Sequence, residues 1–438
     1  MIAEPHKPPP DRVTRAAVVI FLGASLQFFY LKSGPLFATF DRNEPLLVGR
    51  ALAERGEFAD PFPSMPTGPT AHLAPAWPAV LAIFHLATDG SLKDVATLSI
   101  LASSVLWGAC LLALPVLSRD LFRSEVPGWI GVGIGMLPIT PITPIWEAVP
   151  AAAALAWSCV AMTRLPAWGA GTIAGALAWL NPVAALGAST FWLFSPRRPT
   201  KAQVAGFAAM ASFVVLPWIV RNYLVFDAFV PMRDNFGLEL KMAFRDNATL
   251  TLLELIRTVE IPPHPNQSVE EACTLRDMGE VAYMKACGDE GRRWIAAHPR
   301  AAAGLVLKRA VLWWFPYRED LVPYPMLTCA VSLLGLVGLW MMRRQGLPLV
   351  AVAISFSVPY YLVQSCWRYA VPVVWIFTMG AGFVLWRLGS AAFEKFPGLR
   401  WKQEDEVDAL QVRRLDFRAG DGNDLNPRAI NRVDAATD

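Results

Sequence analysis

A dense set of ionisable residues follows the first long apolar segment of the chain, in the stretch TFDRNEPLLVGRALAERGEF (Thr39–Phe58). Its first two carboxylates, Asp41 and Glu44, are three residues apart, so a helix that begins here could present both on one face. A carboxylate in such a position can act as a general base that takes the proton of an attacking hydroxyl group. Asp41 and Glu44 are therefore the first candidates for catalysis. The competing interpretation is a solvated cap on a helix that lies along a membrane surface.

Further candidates lie next to other apolar segments. Glu147 begins one such segment in PIWEAVPAAAALAW, where it could orient an acceptor or a cation, or serve only as a solvated helix cap. Arg368 and Tyr369 lie in CWRYAVPV, and a guanidinium group there could bind a phosphate with two parallel hydrogen bonds. The competing role of Arg368 is an interfacial contact with lipid headgroups. The remaining candidates for substrate binding are His72, Arg221 and Arg233.

The composition indicates a multi-pass membrane protein. Hydrophobic residues make up 54% of the chain and charged residues only 17%, against about 25% charged residues in soluble domains. Apolar runs long enough to cross a bilayer recur along most of the sequence. The net charge of +3 is close to zero, so no nucleic-acid partner is predicted.

Two apolar stretches, Ala74–Ala87 and Ala301–Phe315, are interpreted as interfacial helices. The first is short and carries prolines, and the second has Lys308 and Arg309 at its centre, where charges in a true span would be costly. With both stretches outside the bilayer, nearly every short basic loop falls on the cytoplasmic side. The sequence thus predicts about ten spans with both termini in the cytoplasm. The predicted spans are 13–31, 93–117, 126–144, 147–163, 167–180, 182–195, 203–222, 324–342, 346–364 and 367–387.

This topology predicts four regions. Residues 1–222 form a transmembrane core that includes the first outer loop, 32–92. Residues 223–323 form an outer helical cap, and residues 324–390 form the C-terminal transmembrane helices. The tail, 391–438, is charged and poor in apolar residues, which predicts a disordered cytoplasmic segment.

The cap contains two cysteines, Cys273 and Cys287, whose pairing stays open. In one straight helix they would lie about 21 Å apart, which is too far for a disulfide bond. A break of the helix at Gly279 would allow a closer approach.

The first outer loop resembles that of the GT-C membrane glycosyltransferases, which include the protein O-mannosyltransferases, the aminoarabinose transferases and the Rgt-type lipopolysaccharide sugar transferases. The similarity consists of a charged amphipathic helix, a Pro- and Gly-rich loop with TGPTA, and a short helix opened by APAWP. An alignment without gaps on Arg50 and on Gly56-Glu57 gives Asp41 the place of the catalytic carboxylate. The chain has DRNEP where the family has an Asp-Glu pair and a Tyr, so Glu44 is a rival for this role.

Other stretches support the same resemblance, to proteins like those of glycosyltransferase family 39. PIWEAVP resembles the second outer loop, LPWIVRNYLVFDAFVPMRDNFGLEL (Leu216–Leu240) resembles a stretch that follows the seventh span, and CWRYAVPV resembles a motif that opens the last span. The resemblance implies an all-α GT-C-like bundle with juxtamembrane helices and an outer cap, in a bacterial cytoplasmic membrane.

The resemblance also implies a reaction. A hexosyl or pentosyl group would be transferred from a polyprenyl-phosphate donor, which lies among the membrane lipids, to an envelope lipid, glycan or protein acceptor on the outer face. The configuration at the anomeric carbon of the sugar would be inverted. The donor is a substrate, and neither the resemblance nor a cluster of ligand residues in the sequence predicts a metal or another cofactor.

Two other functions agree with the hydropathy. A transporter or lipid flippase usually has its polar site at mid-membrane, whereas the ionisable residues here gather in the outer loops. An inactive GT-C-like scaffold agrees with the missing Asp-Glu pair. A cavity in which Asp41 or Glu44 faces Glu147 and Arg368 would favour the transferase.

Overall fold

The chain folds almost entirely into α-helices in a computed structural model, as the sequence predicts. The structure describes residues 12–32, 42–139, 146–196, 198–258, 263–366 and 368–395. Within these residues, strand-like pairing is confined to two isolated bridges, Ala59 with Pro69 and Thr251 with Ser365. In chain order the helices are α1 (Arg12–Lys32), α2 (Glu44–Arg55), α3 (Ala76–Ala87), α4 (Leu92–Phe122), α5 (Val126–Gly135), α6 (Ala148–Met162), α7 (Ala167–Leu180), α8 (Pro182–Leu193), α9 (Lys201–Phe226), α10 (Phe236–Ala243), α11 (Leu252–Thr258), α12 (Val269–Met278), α13 (Glu280–Ala297), α14 (Pro299–Trp314), α15 (Pro325–Met341), α16 (Leu347–Tyr361) and α17 (Val374–Lys395).

An apolar helix coincides with each predicted span. Within the described residues, α4, α9 and the segment Val371–Ala391 are the three helices long and apolar enough to cross a membrane by length and composition. The remaining predicted spans coincide with shorter apolar helices. The number of spans and the side on which the termini lie stay predictions.

The bundle is built around α4, which packs against α1, α5 and α6. Trp107 and Leu114 of α4 are buried in this contact region, and α6 contributes the small residues of AVPAAAALAW. Small residues allow helix backbones to approach closely in a membrane, where apolar side chains gain little from leaving lipid. In contrast, α9 packs mainly on α7 and leaves Phe213 and Leu224 exposed, as expected for a surface that faces lipid.

Two helices of the predicted first outer loop pack on each other. In α2, Gly49 faces α3 so closely that a Cβ atom there would lie 2.9 Å from the carbonyl oxygen of Pro78. The twelve residues of α3 are fewer than the roughly 20 that a spanning helix needs. This length agrees with the prediction of an interfacial helix.

The cap consists of α10–α13, and α14 connects it to the C-terminal helices. Gly237 allows α10 to pack on α13, since a Cβ atom there would lie only 1.9 Å from the carbonyl oxygen of Met284. Gly279, with φ near +80°, separates α12 from α13. The helix is therefore broken where the sequence allowed a break, yet Cys273 and Cys287 are both free thiols.

The predicted charge at the centre of the α14 segment is accommodated by the cap. Arg309 is completely buried and donates hydrogen bonds from one terminal nitrogen to the carbonyl oxygens of Ala243 (2.8 Å) and Thr249 (3.1 Å). Its guanidinium group also lies over the ring of Phe244. These contacts hold the C-terminal end of α10 against α14.

Candidate active site

The N-terminus of α2 positions Glu44. Asn43 precedes the helix, and its carbonyl oxygen accepts the first helical hydrogen bonds, from the backbone nitrogens of Leu46 and Leu47. Leu46 and Val48 are buried and fix the orientation of the helix. The side chain of Glu44 consequently points into the protein, and the residue as a whole is only 7% exposed.

The TGPTA loop positions a second group, the side chain of His72, next to Glu44. Asp60 accepts hydrogen bonds from the backbone nitrogens of Thr67 (2.9 Å) and Gly68 (2.8 Å). Gly68 has φ near +87°, a conformation that residues with a Cβ atom rarely adopt. This turn directs Thr70 and His72 inward, where both are buried.

Glu44 and His72 form a buried ion pair. Oε2 of Glu44 lies 3.3 Å from Nε2 of His72. Burial raises the pKa of Glu44, but the charge and hydrogen bond of His72 outweigh it and bring this pKa to about 2. Burial lowers the pKa of His72, and Glu44 outweighs that effect, so the net pKa is raised. Glu44 is therefore held ionised and is a weak proton acceptor.

A second pair joins Glu147 to Arg233. Glu147 directly precedes α6, and its Oε1 atom lies 3.5 Å from a terminal nitrogen of Arg233. Arg233 also donates a hydrogen bond from Nε to the carbonyl oxygen of His72 (2.9 Å). Arg233 thereby connects the start of α6, the segment before α10 and the TGPTA loop.

The loop before α17 positions Arg368. Ser365 ties this loop to the cap, since its carbonyl accepts from the backbone nitrogen of Leu252 (3.0 Å) and its own nitrogen donates to Leu250 (2.9 Å). The guanidinium carbon of Arg368 lies 3.5 Å from the centre of the Trp146 ring. Within the described residues Arg368 has no ion pair, so its hydrogen-bond donors are available to a ligand.

These groups line one cavity of about 420 Å³. Such a volume is typical of a small-molecule site. The cavity brings together six of the residues predicted from the sequence, Glu44, His72, Glu147, Arg233, Arg368 and Tyr369. The other lining residues are Trp146, Ala148, Asn181, Pro182, Val183, Pro231, Met232, Asn235, Phe236, Glu239, Pro359, Tyr360, Val363 and Pro372.

Two predicted residues do not join this set. Asp41 lies outside the described residues. Arg221 is absent from the cavity wall and instead donates hydrogen bonds to the carbonyl oxygens of Thr70 (2.8 Å) and Phe58 (3.0 Å). Its guanidinium carbon lies 4.9 Å from the centre of the Trp218 ring. Arg221 therefore supports the TGPTA loop from behind.

Glu239 is a cavity residue that the sequence did not single out. It lies in α10, and burial raises its pKa although His72 and Arg368 oppose this effect. Within the described part of the chain its carboxylate has no ion pair or hydrogen bond. The sequence offered one signal that Glu239 is buried, its place between two apolar residues in FGLEL. Both of these residues, Leu238 and Leu240, are buried in the structure.

No protein-family profile and no curated protein sequence matches the chain. The chain is similar to the solved structure of the archaeal oligosaccharyltransferase AglB from Archaeoglobus fulgidus in complex with an inhibitory peptide and a dolichol-phosphate. The TM-score is 0.51 at 13% identity, over 92% of this chain and 54% of that chain. A second structure, the Archaeoglobus fulgidus oligosaccharyltransferase tethered with an acceptor peptide containing the NVT sequon, also matches with a TM-score of 0.51 at 13% identity. That match covers 88% of this chain and 50% of the other. The chain thus spans about half the length of these proteins, and the likeness shows that it has the predicted GT-C-like fold.

Proposed function

We propose that the protein is a membrane glycosyltransferase that moves a sugar from a polyprenyl-phosphate donor to an acceptor of the cell envelope on the outer face of a bacterial membrane. The observation that carries this proposal is the convergence of Glu44, Glu147 and Arg368 in one cavity, from three segments that are distant in the sequence. The GT-C-like fold supports the same reaction class. The transfer proceeds as a single displacement with inversion at the anomeric carbon.

Arg368 binds the phosphate of the donor. The face of its guanidinium group lies on Trp146, which leaves the N–H edge for the ligand. Two parallel hydrogen bonds from this edge match a phosphate better than a single ammonium group does. The leaving group is a phosphate that is already an anion, so the reaction needs a cation to stabilise it and no proton donor.

The general base is Asp41, the residue in the place of the family's catalytic carboxylate. Glu44 was its rival, but a carboxylate with a pKa of about 2 accepts a proton poorly at neutral pH, because general bases work best with a pKa near the operating pH. Glu44 and His72 instead form an ionised pair beside the reacting groups. Glu239 accepts hydrogen bonds from substrate hydroxyl groups, and Glu147 orients Arg233.

A transfer assay with the purified full-length chain tests this proposal. The donors are a panel of labelled polyprenyl-phosphate sugars, and the acceptors are envelope lipids. We expect transfer from one donor class, and Asp41→Asn should reduce it about 10²–10⁴-fold, the usual contribution of a general base. Glu54→Gln is the control, since Glu54 lies at the other end of α2 and outside the cavity. Near-normal transfer by both Asp41→Asn and Glu44→Gln would show that neither residue is the base.

A further inference from the structure

The cap holds His72 in place through a carboxylate that lies outside the cavity. Glu280, the first residue of α13, accepts hydrogen bonds from the hydroxyl group of Thr70 (2.6 Å) and from the backbone nitrogen of Ala71. The Thr70 hydroxyl oxygen in turn accepts from the backbone nitrogen of His72 (2.9 Å). Glu280 thus binds all three residues of the segment Thr70–His72, directly or through one intermediate.

The segment that leads into α10 and carries Arg233 completes this arrangement. The backbone nitrogen of Asp234 donates to the carbonyl oxygen of Ala71 (3.3 Å). Together with the bond from Arg233 to the His72 carbonyl, it holds the segment through two of its backbone carbonyl oxygens. We call Glu280, Asp234 and the segment Thr70–His72 together the cap clamp.

Asp234 and Glu280 form a neighbouring carboxylate pair. Both oxygens of Asp234 are buried, and no other described residue donates a hydrogen bond to them. A proton on Glu280 supplies the missing donor. Burial, followed by the charge of Asp234, raises the pKa of Glu280 to about 8, which is the expected behaviour of two carboxyl groups that share one site.

We propose that Glu280 is a positioning residue of the transfer site described above, which holds His72 against Glu44 while it shares one proton with Asp234. This role rests on the proposed function, because it assigns the cap clamp to the alignment of that site. It differs from the catalytic roles, since Glu280 reaches the cavity only through Thr70–His72.

The groups around the pair make its ionisation sensitive to pH. Arg221 of α9, Arg233 and His72 are the cations that face it, and they favour one negative charge on the pair. Because the pKa of Glu280 is raised from 4.5 to about 8, the folded state binds more protons than the unfolded state between these values. The contribution of the pair to stability is complete below this interval, decreases as the pH rises through it and is lost above about 8.

Hydrogen exchange tests the clamp without using activity. Peptides that cover residues 58–73 are measured at pH 7 and pH 9.5, with correction for the intrinsic exchange rate, and α2 serves as the internal reference. We expect the wild-type segment to lose protection at pH 9.5. Glu280→Gln should stay protected at any pH, because its amide oxygen can accept from the Ala71 nitrogen while its amide nitrogen donates to Asp234 and to the Thr70 hydroxyl oxygen. Equal protection of the wild type at both pH values, or equal loss in Glu280→Gln, would overturn the proposal.

The pH profile of transfer provides the functional readout. The wild type should show an alkaline decrease in kcat with an apparent pKa near 8, and Glu280→Gln should lack it. Glu280→Ala should lower kcat up to about 100-fold, the effect of a misplaced site, with little change in the KM for the donor. Thr70→Val removes the hydrogen bonds of the hydroxyl group to Glu280 and to the His72 backbone nitrogen, keeps the bond from Ala71 to Glu280, and serves as the second variant if Glu280→Ala does not fold.

Glu290→Gln is the matched control, because Glu290 lies on the same helix with an exposed side chain. It should leave both the profile and the protection unchanged, and an altered profile in this variant would contradict a specific role of Glu280. One further outcome is that no donor supports transfer while the hydrogen-exchange pattern is as expected. The proposed function then fails, and the assignment of Glu280 to a transfer site is overturned. The cap clamp would remain as a purely structural contact.

Discussion

Helix α2 carries a Glu–His pair at each of its ends. At its N-terminus Glu44 lies 3.3 Å from His72, and at its C-terminus Glu54 lies 3.3 Å from His85. The two pairs have the same residue types and the same separation of atoms, and an arginine lies near each. They differ in burial: the Glu44 side chain is 9% exposed and that of Glu54 is 40% exposed.

This difference shows that burial, and not residue type, determines how strongly the charges of each pair interact. Glu44 and His72 face each other within protein, where little water screens their charges. Glu54 shares its charge with Arg50 (2.8 Å), whose hydrogen bond is the main cause of its lowered pKa, and solvent screens both contacts. A concavity of comparable size, about 580 Å³, lies beside Glu54. Volume alone therefore does not identify the candidate site.

The largest expected difference between the two ends of α2 is in activity. Glu44→Gln should reduce transfer by about 10²–10³-fold, the typical effect of removing one preorganised electrostatic group. Glu54→Gln should change it less than about twofold, because an exposed pair contributes little. Initial rates at saturating donor compare the two variants directly. Equal losses in both would mean that α2 acts only as an interfacial helix.

The arginines beside the pairs sharpen the comparison. Arg368→Ala should weaken binding of the donor by about 1.5–3 kcal/mol, the value of a hydrogen bond to a charged group. Arg368→Lys should retain part of this binding energy, because lysine keeps the positive charge but loses the two parallel N–H groups of the guanidinium. Arg50→Ala is the counterpart at the exposed pair and should leave the donor KM unchanged. Normal kinetics of Arg368→Ala would remove this residue from the site.

Both residues of the N-terminal pair were candidates from the sequence, whereas Glu239 and Glu280 of the predicted cap were not. The resemblance of the first outer loop gave Glu44 as the rival of Asp41, and the motif CWRYAVPV gave Arg368. The burial of Glu239 and Glu280 depends on packing between the cap and a loop more than 150 residues earlier, as in the contact of Thr70 with Glu280. The sequence around Glu280 is rich in charged residues and has the pattern of a solvated helix, so no local signal distinguishes it. Glu239 has only the weak signal of its place between two apolar residues.

The pH dependence of stability should separate the two pairs further. The pKa of His72 is raised above 6.5, so its pair with Glu44 stabilises the fold fully below pH 6.5 and loses this contribution as the pH rises through the raised value. The difference in Tm between the wild type and His72→Gln should therefore shrink with rising pH. For His85→Gln we expect a small difference, because solvent screens the partly exposed Glu54 with which it pairs. A pH-independent difference for His72→Gln would show that this histidine is not charged in the folded protein.

The smallest expected effect is that of the exposed Glu54 pair on stability. The dependence of this effect on salt concentration distinguishes it from the effect of the buried pair. Glu54→Gln should lower the free energy of unfolding by less than about 1 kcal/mol, because solvent-exposed ion pairs gain little over their separate hydration. Salt at about 1 M reduces the screening length to about 3 Å, so this difference should vanish there. The loss caused by Glu44→Gln should persist, since ions do not enter the buried pair and the uncompensated His72 remains. A Glu44→Gln effect that salt abolishes would mean that water reaches this pair in solution. The two ends of α2 would then be electrostatically equivalent, and the weak basicity assigned to Glu44 would no longer favour Asp41 as the base.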